Sequence, residues 1–158
     1  MALTFTVVQV DDEKKIAGIN VKTDMEKSMV DCPALWGKFM PIMCGDLAKN
    51  PALIQNAPTY GVSEFIDGNQ FTYWAAVQVS KTEGLPEEIQ TRAIPAGLYV
   101  KCTAPSLEQL GEAYMALDAW MNAQNKYIYD MQSVAFEEYK NGWQMTDSID
   151  IYAAIVEK

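Results

Sequence analysis

The sequence predicts a two-layer α+β domain in which two main helices cover one face of a curved, mostly antiparallel sheet. Three observations carry this. Short segments that alternate apolar and polar residues recur along the chain, separated by turn residues, as half-buried strands do. Two segments leave that alternation for the helical period of an amphipathic stripe. The order strand, helix, hairpin also occurs twice, over residues 15–80 and again over 98–156, as a repeat of pattern with negligible identity between the copies. A helix that must bury a stripe packs on a sheet face, and two strand-helix-strand-strand units side by side share one sheet. The expectation is a single domain, 1–158, with a first half of about 1–80, a crossover of 81–96 and a second half of about 97–158.

Each element has its own justification. Leu3 to Val10 alternates, and Lys15 to Lys22 resumes after the charged Asp11-Asp12-Glu13-Lys14; a hairpin and one bent strand both fit. In the first helix Asp31 can cap, Pro33 suits the first turn, Leu35, Trp36, Phe39 and Met40 share a face, and Pro41 ends the run. Thr59 to Ile66 and Phe71 to Ser80 flank Asp67-Gly68-Asn69-Gln70, a hairpin turn whose glycine tolerates positive φ. Leu98 to Thr103 is a further strand. The second helix opens on Ser106-Leu107-Glu108-Gln109, which has the form of a capping box. Its stripe is Leu107, Leu110, Tyr114, Leu117, Trp120 and Met121, over residues 107–122. Gln132 to Lys140 and Ile149 to Val156 form a second hairpin around Asn141-Gly142.

Composition narrows function. The chain has 158 residues, 49% of them hydrophobic, enough for one real core. Twelve Lys plus Arg against 21 Asp plus Glu leave a net charge of −9, which argues against direct nucleic-acid binding and against an anionic membrane surface. There is no histidine, so no His-based triad, metal site or haem ligand can be built. Cys32, Cys44 and Cys102 have no zinc or redox spacing and suit a reducing cytosol. With no signal segment and no long apolar run, the expected location is cytoplasmic, with no metal and no cofactor.

Alternation also sorts side chains by face. Val134 and Phe136 are the natural partners of a helix, which places Glu137 and Tyr139 on the uncovered face. By the same logic Leu98, Val100 and Cys102 face the helices and Tyr99 faces away. In the strand from Phe71, the set Phe71, Tyr73, Ala75, Val77 and Val79 is core and Trp74 lies opposite. The open face then collects Glu137, Tyr139, Trp74 and Tyr99. An acid ringed by aromatics suits an apolar cation, through ring faces and a desolvated counter-charge. Alternation alone favours the plainer reading, in which Glu137 is a solvated strand residue and the aromatics are sheet packing.

Ala135-Phe136-Glu137-Glu138-Tyr139 resembles the FE-x-Y strand of the GyrI-like small-molecule-binding family, also known as the bacterial transcription activator effector-binding domain. Ile16-Ala17-Gly18, Pro33 to Phe39, Tyr60-Gly61-Val62, Phe71 to Val79, Ile94 to Tyr99, Tyr114 to Trp120 and Ile149 to Tyr152 follow in family order. The resemblance implies a duplicated strand-helix-strand-strand fold. It also implies a pocket between the halves with an acid at its floor, which multidrug-responsive members use to hold lipophilic cations. Glu137 takes the position of that acid and Tyr139 that of its aromatic neighbour. Trp36 and Trp120 match aromatic helix positions; Trp36 joins Glu137, Tyr139, Trp74 and Tyr99 as a candidate ligand-binding residue, and Trp120 is read as core. Other members are fused to AraC- or MerR-type DNA-binding modules, and no helix-turn-helix is read in this chain. The expected function is therefore a stand-alone sensor or sequestering domain for an amphipathic, cationic or aromatic small molecule. The resemblance leaves two alternatives: a hydrolase of cyclopropane-type xenobiotics with Glu137 as general base, and a protein-interaction module of the gyrase-inhibitor type.

Overall fold

The computed structural model describes residues 3–158. It is an α+β fold with a curled, antiparallel sheet of nine strands and two main helices. The strands are β1 (Thr6–Val10), β2 (Lys14–Asp24), β3 (Thr59–Asp67), β4 (Gln70–Gln78), β5 (Gln90–Ile94), β6 (Gly97–Ala104), β7 (Tyr127–Tyr129), β8 (Val134–Tyr139) and β9 (Ile149–Glu157). Helix α1 runs Ser28–Cys44 and helix α2 Leu110–Ala123. The strand order is β1-β6-β9-β8-β3-β4-β2-β5, with β7 alongside β9.

The charged run after Val10 is resolved in favour of one bent strand. β1 pairs with β6 as far as Val10↔Gly97, and β2 takes up the same partner chain four residues later at Lys14↔Ile94, on β5. Asp11, Asp12 and Glu13 sit at the exposed corner, where their charges stay in water. β1–β2 and β5–β6 are thus two long strands bent at the same place. This wraps the sheet into a half-barrel. The predicted turn between β3 and β4 is present, with Gly68 at φ 57°, and so is the one after β8, with Gly142 at φ 77°.

The curl gives the sheet two buried faces. On the convex side Leu35 and Phe39 of α1 cover Ala17, Tyr73, Ala75 and Val77. On the same side Ala113, Leu117 and Met121 of α2 cover Val100, Cys102, Ile151 and Ala153. On the concave side Ile16, Tyr60, Val62, Trp74, Tyr99, Val134 and Phe136 close on one another as a second core. Trp120 packs on the ring of Phe5, with centroids 5.6 Å apart.

Several local expectations are corrected. The segment read as a crossover loop contains β5, a strand that exists through its pairing to β2 rather than through its own alternation. The short β7 was not read at all. α1 begins before Asp31, whose carboxylate instead accepts a 2.8 Å bond from the Thr23 hydroxyl. Pro41 lies inside α1, one turn from its end, and Met40 is turned outward at 43% exposure. The Ser106 hydroxyl meets the Gln109 side-chain oxygen at 3.3 Å and caps no backbone N–H, because residues 107–109 form a 3₁₀ turn ahead of α2. No helix among the described residues is long and apolar enough to cross a membrane.

Candidate functional site

The concave core fixes the facing of β8. Phe136 is 1% exposed and stacks on Tyr152 at 4.6 Å, edge-on to Tyr60 and Tyr99, so it points away from the helices. Its neighbours in sequence must point the other way. Glu137 and Tyr139 therefore lie beneath α1 and α2. This reverses the side expected for β8. The physical reason is that an apolar residue identifies a buried face, and in a half-barrel both faces are buried.

Glu137 is 6% exposed and accepts hydrogen bonds from three phenols, on β8, β4 and α2. Tyr139, two residues on along β8, donates to its Oε1 at 2.5 Å. Tyr73 of β4 donates to the same oxygen at 3.2 Å, and Tyr114 of α2 donates to Oε2 at 2.6 Å. Trp36 of α1 donates its indole N–H to the Tyr73 hydroxyl at 3.0 Å and stands edge-on to Tyr139 at 5.7 Å. Trp143, in the turn after β8, meets the far side of Tyr139 at 5.0 Å. No ion pair among the described residues includes Glu137; those present join Arg92 to Glu64, Lys101 to Asp150 and Lys140 to Asp147.

Gly61 makes this arrangement possible. It is the register partner of Glu137 on β3. A Cβ at this position would lie 2.2 Å from the Tyr73 hydroxyl and 2.9 Å from Glu137 Oε1. Gly61→Ala is thus expected to expel the Tyr73 hydroxyl and leave Trp36 and Glu137 each short of a partner. The loss of a satisfied buried hydrogen bond sets the scale at about 1–3 kcal/mol, read as a lowered urea midpoint. An unchanged midpoint would show that Tyr73 is not held against the acid.

Burial raises the Glu137 carboxyl above the ordinary carboxylate range, and the three phenol bonds offset part of that rise. Burial, then the nearby Glu137 charge, pushes the phenols of Tyr73, Tyr114 and Tyr139 upward, so they remain protonated donors. The Cys32 thiol is pushed up to about 12 by burial, then by Glu137 and Asp31, which keeps it a thiol and not a nucleophilic thiolate.

The structure thus brings together Glu137, Tyr139 and Trp36 of the five expected residues. Trp74 and Tyr99 belong to the concave core on the other side of the sheet. There the Tyr99 hydroxyl donates to the Pro95 carbonyl at 2.7 Å, and the buried Trp74 indole nitrogen has no hydrogen-bond partner. Tyr73, Tyr114 and Gly61 were not singled out from sequence. The first two were read as buried and Gly61 only within a family motif; convergence on one carboxylate is a property of register and helix placement. A surface cleft of about 310 Å³, lined by Leu98, Tyr99, Asp130, Ser133 and Ile155, opens where β6 and β9 part and does not include Glu137.

A family model described as integron-associated effector binding protein (Cass2) matches residues 6–155. Among solved structures, the integron cassette protein VCH_CASS2 of Vibrio cholerae superposes with a TM-score of 0.67 at 16% identity, over 96% of this chain and 95% of that one. SAV2435 bound to tetraphenylphosphonium gives a TM-score of 0.75 at 12% identity, over 97% and 94%. The C-terminal domain of EcmrR gives 0.69 at 15% identity, over the whole of both chains. At these identities the likeness establishes the fold. No curated protein matches the chain.

Proposed function

The chain belongs to the Cass2 family of integron-associated effector binding proteins, and from that premise we propose that it binds an amphipathic organic cation between α1 and α2, with Glu137 as counter-charge. One observation carries this reading: a carboxylate 6% exposed that is held by three phenols and paired with no basic side chain among the described residues. Taking an ion out of water costs several kcal/mol, which neutral donors offset only in part. A bound cation supplies the absent charge, and the rings of Trp36, Tyr139 and Trp143 supply cation–π contact. The tetraphenylphosphonium on SAV2435, a protein of the same fold, supports a bulky delocalised cation as the ligand class. Of the five residues expected from sequence, Glu137, Tyr139 and Trp36 belong to this site, joined by Tyr73 and Tyr114. Trp74 and Tyr99 have no part in it. As a sensor or sequestering protein the chain needs no chemistry at Glu137. A general base needs a water seated on the carboxylate and a second group to steer it; phenols take three of about four acceptor positions, so binding describes the geometry better than hydrolysis.

The site is filled by its own side chains, so a guest must part Trp36 from Tyr73 and Tyr139. The test is calorimetric or thermal-shift titration with tetraphenylphosphonium across pH. Between the ordinary carboxylate value and the raised one, the folded chain keeps a proton that the unfolded chain has lost. The unliganded fold therefore has its full Glu137 contribution at low pH and loses it as pH rises through that interval. Cation binding requires the ionised form, so affinity rises with pH over the same interval and binding there releases a proton. Absence of stabilisation at every pH would overturn the cation site; a pH-independent affinity would remove Glu137 from it.

A further inference from the structure

Resting on that reading, we infer that the phenol shell of Glu137 selects among cations, favouring those without N–H groups over protonated amines and guanidiniums of the same size. A carboxylate offers about four acceptor positions. Three are occupied: Tyr139 and Tyr73 share Oε1, and Tyr114 takes Oε2. The Tyr73 oxygen already accepts the Trp36 indole N–H. One charged acceptor position is left, on Oε2; the phenol oxygens of Tyr114 and Tyr139 beside it keep lone pairs but are neutral and therefore weaker acceptors than a carboxylate.

A primary ammonium brings three N–H donors and a guanidinium brings five. Both are fully hydrogen-bonded in water, and each donor that is buried against a neutral phenol oxygen, or against no acceptor, costs free energy relative to one that reaches the carboxylate. A fork-shaped guanidinium also needs both carboxylate oxygens at once, and both already carry phenols. A quaternary ammonium or phosphonium has no donor to satisfy. It keeps the whole Coulomb and cation–π attraction and leaves the phenol bonds in place. Selectivity then arises from a penalty on the wrong cation rather than from an added contact to the right one. Tyr114 and Tyr139 are specificity-determining residues on this account. Gly61 is a positioning residue, since it admits the third hydroxyl.

The test uses a matched pair, (naphthylmethyl)trimethylammonium and naphthylmethylammonium, which differ in N–H content at the cationic centre. Calorimetric Kd values are taken on the full chain, on Tyr114→Phe and on Tyr139→Phe, at a pH above the Glu137 transition of each. The wild type is expected to prefer the quaternary cation by about tenfold or more, the scale of one buried unsatisfied donor. Each phenylalanine frees an acceptor position and is expected to move that ratio toward the primary amine by about fivefold or more. Circular dichroism establishes which variants fold, and either alone suffices. Ratios that stay at the wild-type value in the folded variants overturn the selectivity, because the preference then comes from ligand hydrophobicity. Failure of tetraphenylphosphonium and of both probes to bind the wild type removes the cation site itself, a separate result.

Discussion

Glu137→Gln is expected to abolish the thermal stabilisation that a lipophilic cation gives the wild type. At a free ligand concentration about a hundred times Kd, a single-site ligand stabilises by about 2.7 kcal/mol. For a chain of this size that is a shift of roughly 5–10 °C in Tm. Glutamine has nearly the same shape and keeps one carbonyl oxygen, so Tyr139 and Tyr73, or Tyr114, retain an acceptor. What it lacks is the charge. A cation brought into that site would lose its hydration and gain no counter-ion, and the expected shift falls to about 1 °C or less. The unliganded variant should hold its Tm at neutral pH, because the penalty of burying an ion is removed along with one strong acceptor. Scanning calorimetry over a tetraphenylphosphonium series separates the two effects. Equal shifts in both proteins would show that the cation binds elsewhere.

The second large effect is expected from Phe136→Ala, and it is one of stability alone. The ring is 1% exposed, stacked on Tyr152 and edge-on to Tyr60 and Tyr99. Truncating a buried phenylalanine costs about 3–5 kcal/mol, with the spread set by how far the site collapses. Three rigid rings around the void collapse poorly, so the upper part of that range is expected, with Tm lowered by on the order of 10 °C. Because Phe136 lies across the sheet from Glu137, the additional stabilisation by tetraphenylphosphonium should survive in the folded variant. Unfolding in denaturant with and without the cation reads both quantities. A variant that keeps its stability and loses the cation would put Phe136 on the helix side, as alternation alone first suggested.

The two faces of β8 show where reading the sequence reaches its limit. Alternation correctly separates Phe136 from Glu137. It does not say which of them meets the helices, because apolar content was used as the sign of the helix side and the concave side is just as apolar. The same sorting succeeded on β4 and β6, where Tyr73 and Val100 do face helices and Trp74 and Tyr99 do not. The turns at Gly68 and Gly142 were legible because positive φ is a local demand. Glu137, Tyr139 and Trp36 were legible through a resemblance that spans most of the chain. The Tyr73–Glu137–Tyr114 convergence was not, since it depends on Gly61 standing opposite Glu137 and on where α2 lands, both non-local. β5 escaped for a related reason: Gln90–Ile94 is a strand because β2 is beside it.

The two bent strands have a mechanical consequence. β1–β2 and β5–β6 each run from one end of the sheet's hydrogen-bonded order to the other, so the strands on either side of the β8–β3 pairing stay tied together by two continuous stretches of chain. The floor beneath Glu137 therefore behaves as a stiff plate: widening it means breaking many cooperative bonds together. The roof is different. α1 and α2 rest on the plate through side chains, and above the acid α1 is held by one indole–phenol bond and the edges of rings. Breathing room for a guest comes from tilting the roof, and the molecule works as a rigid tray under two adjustable clamps.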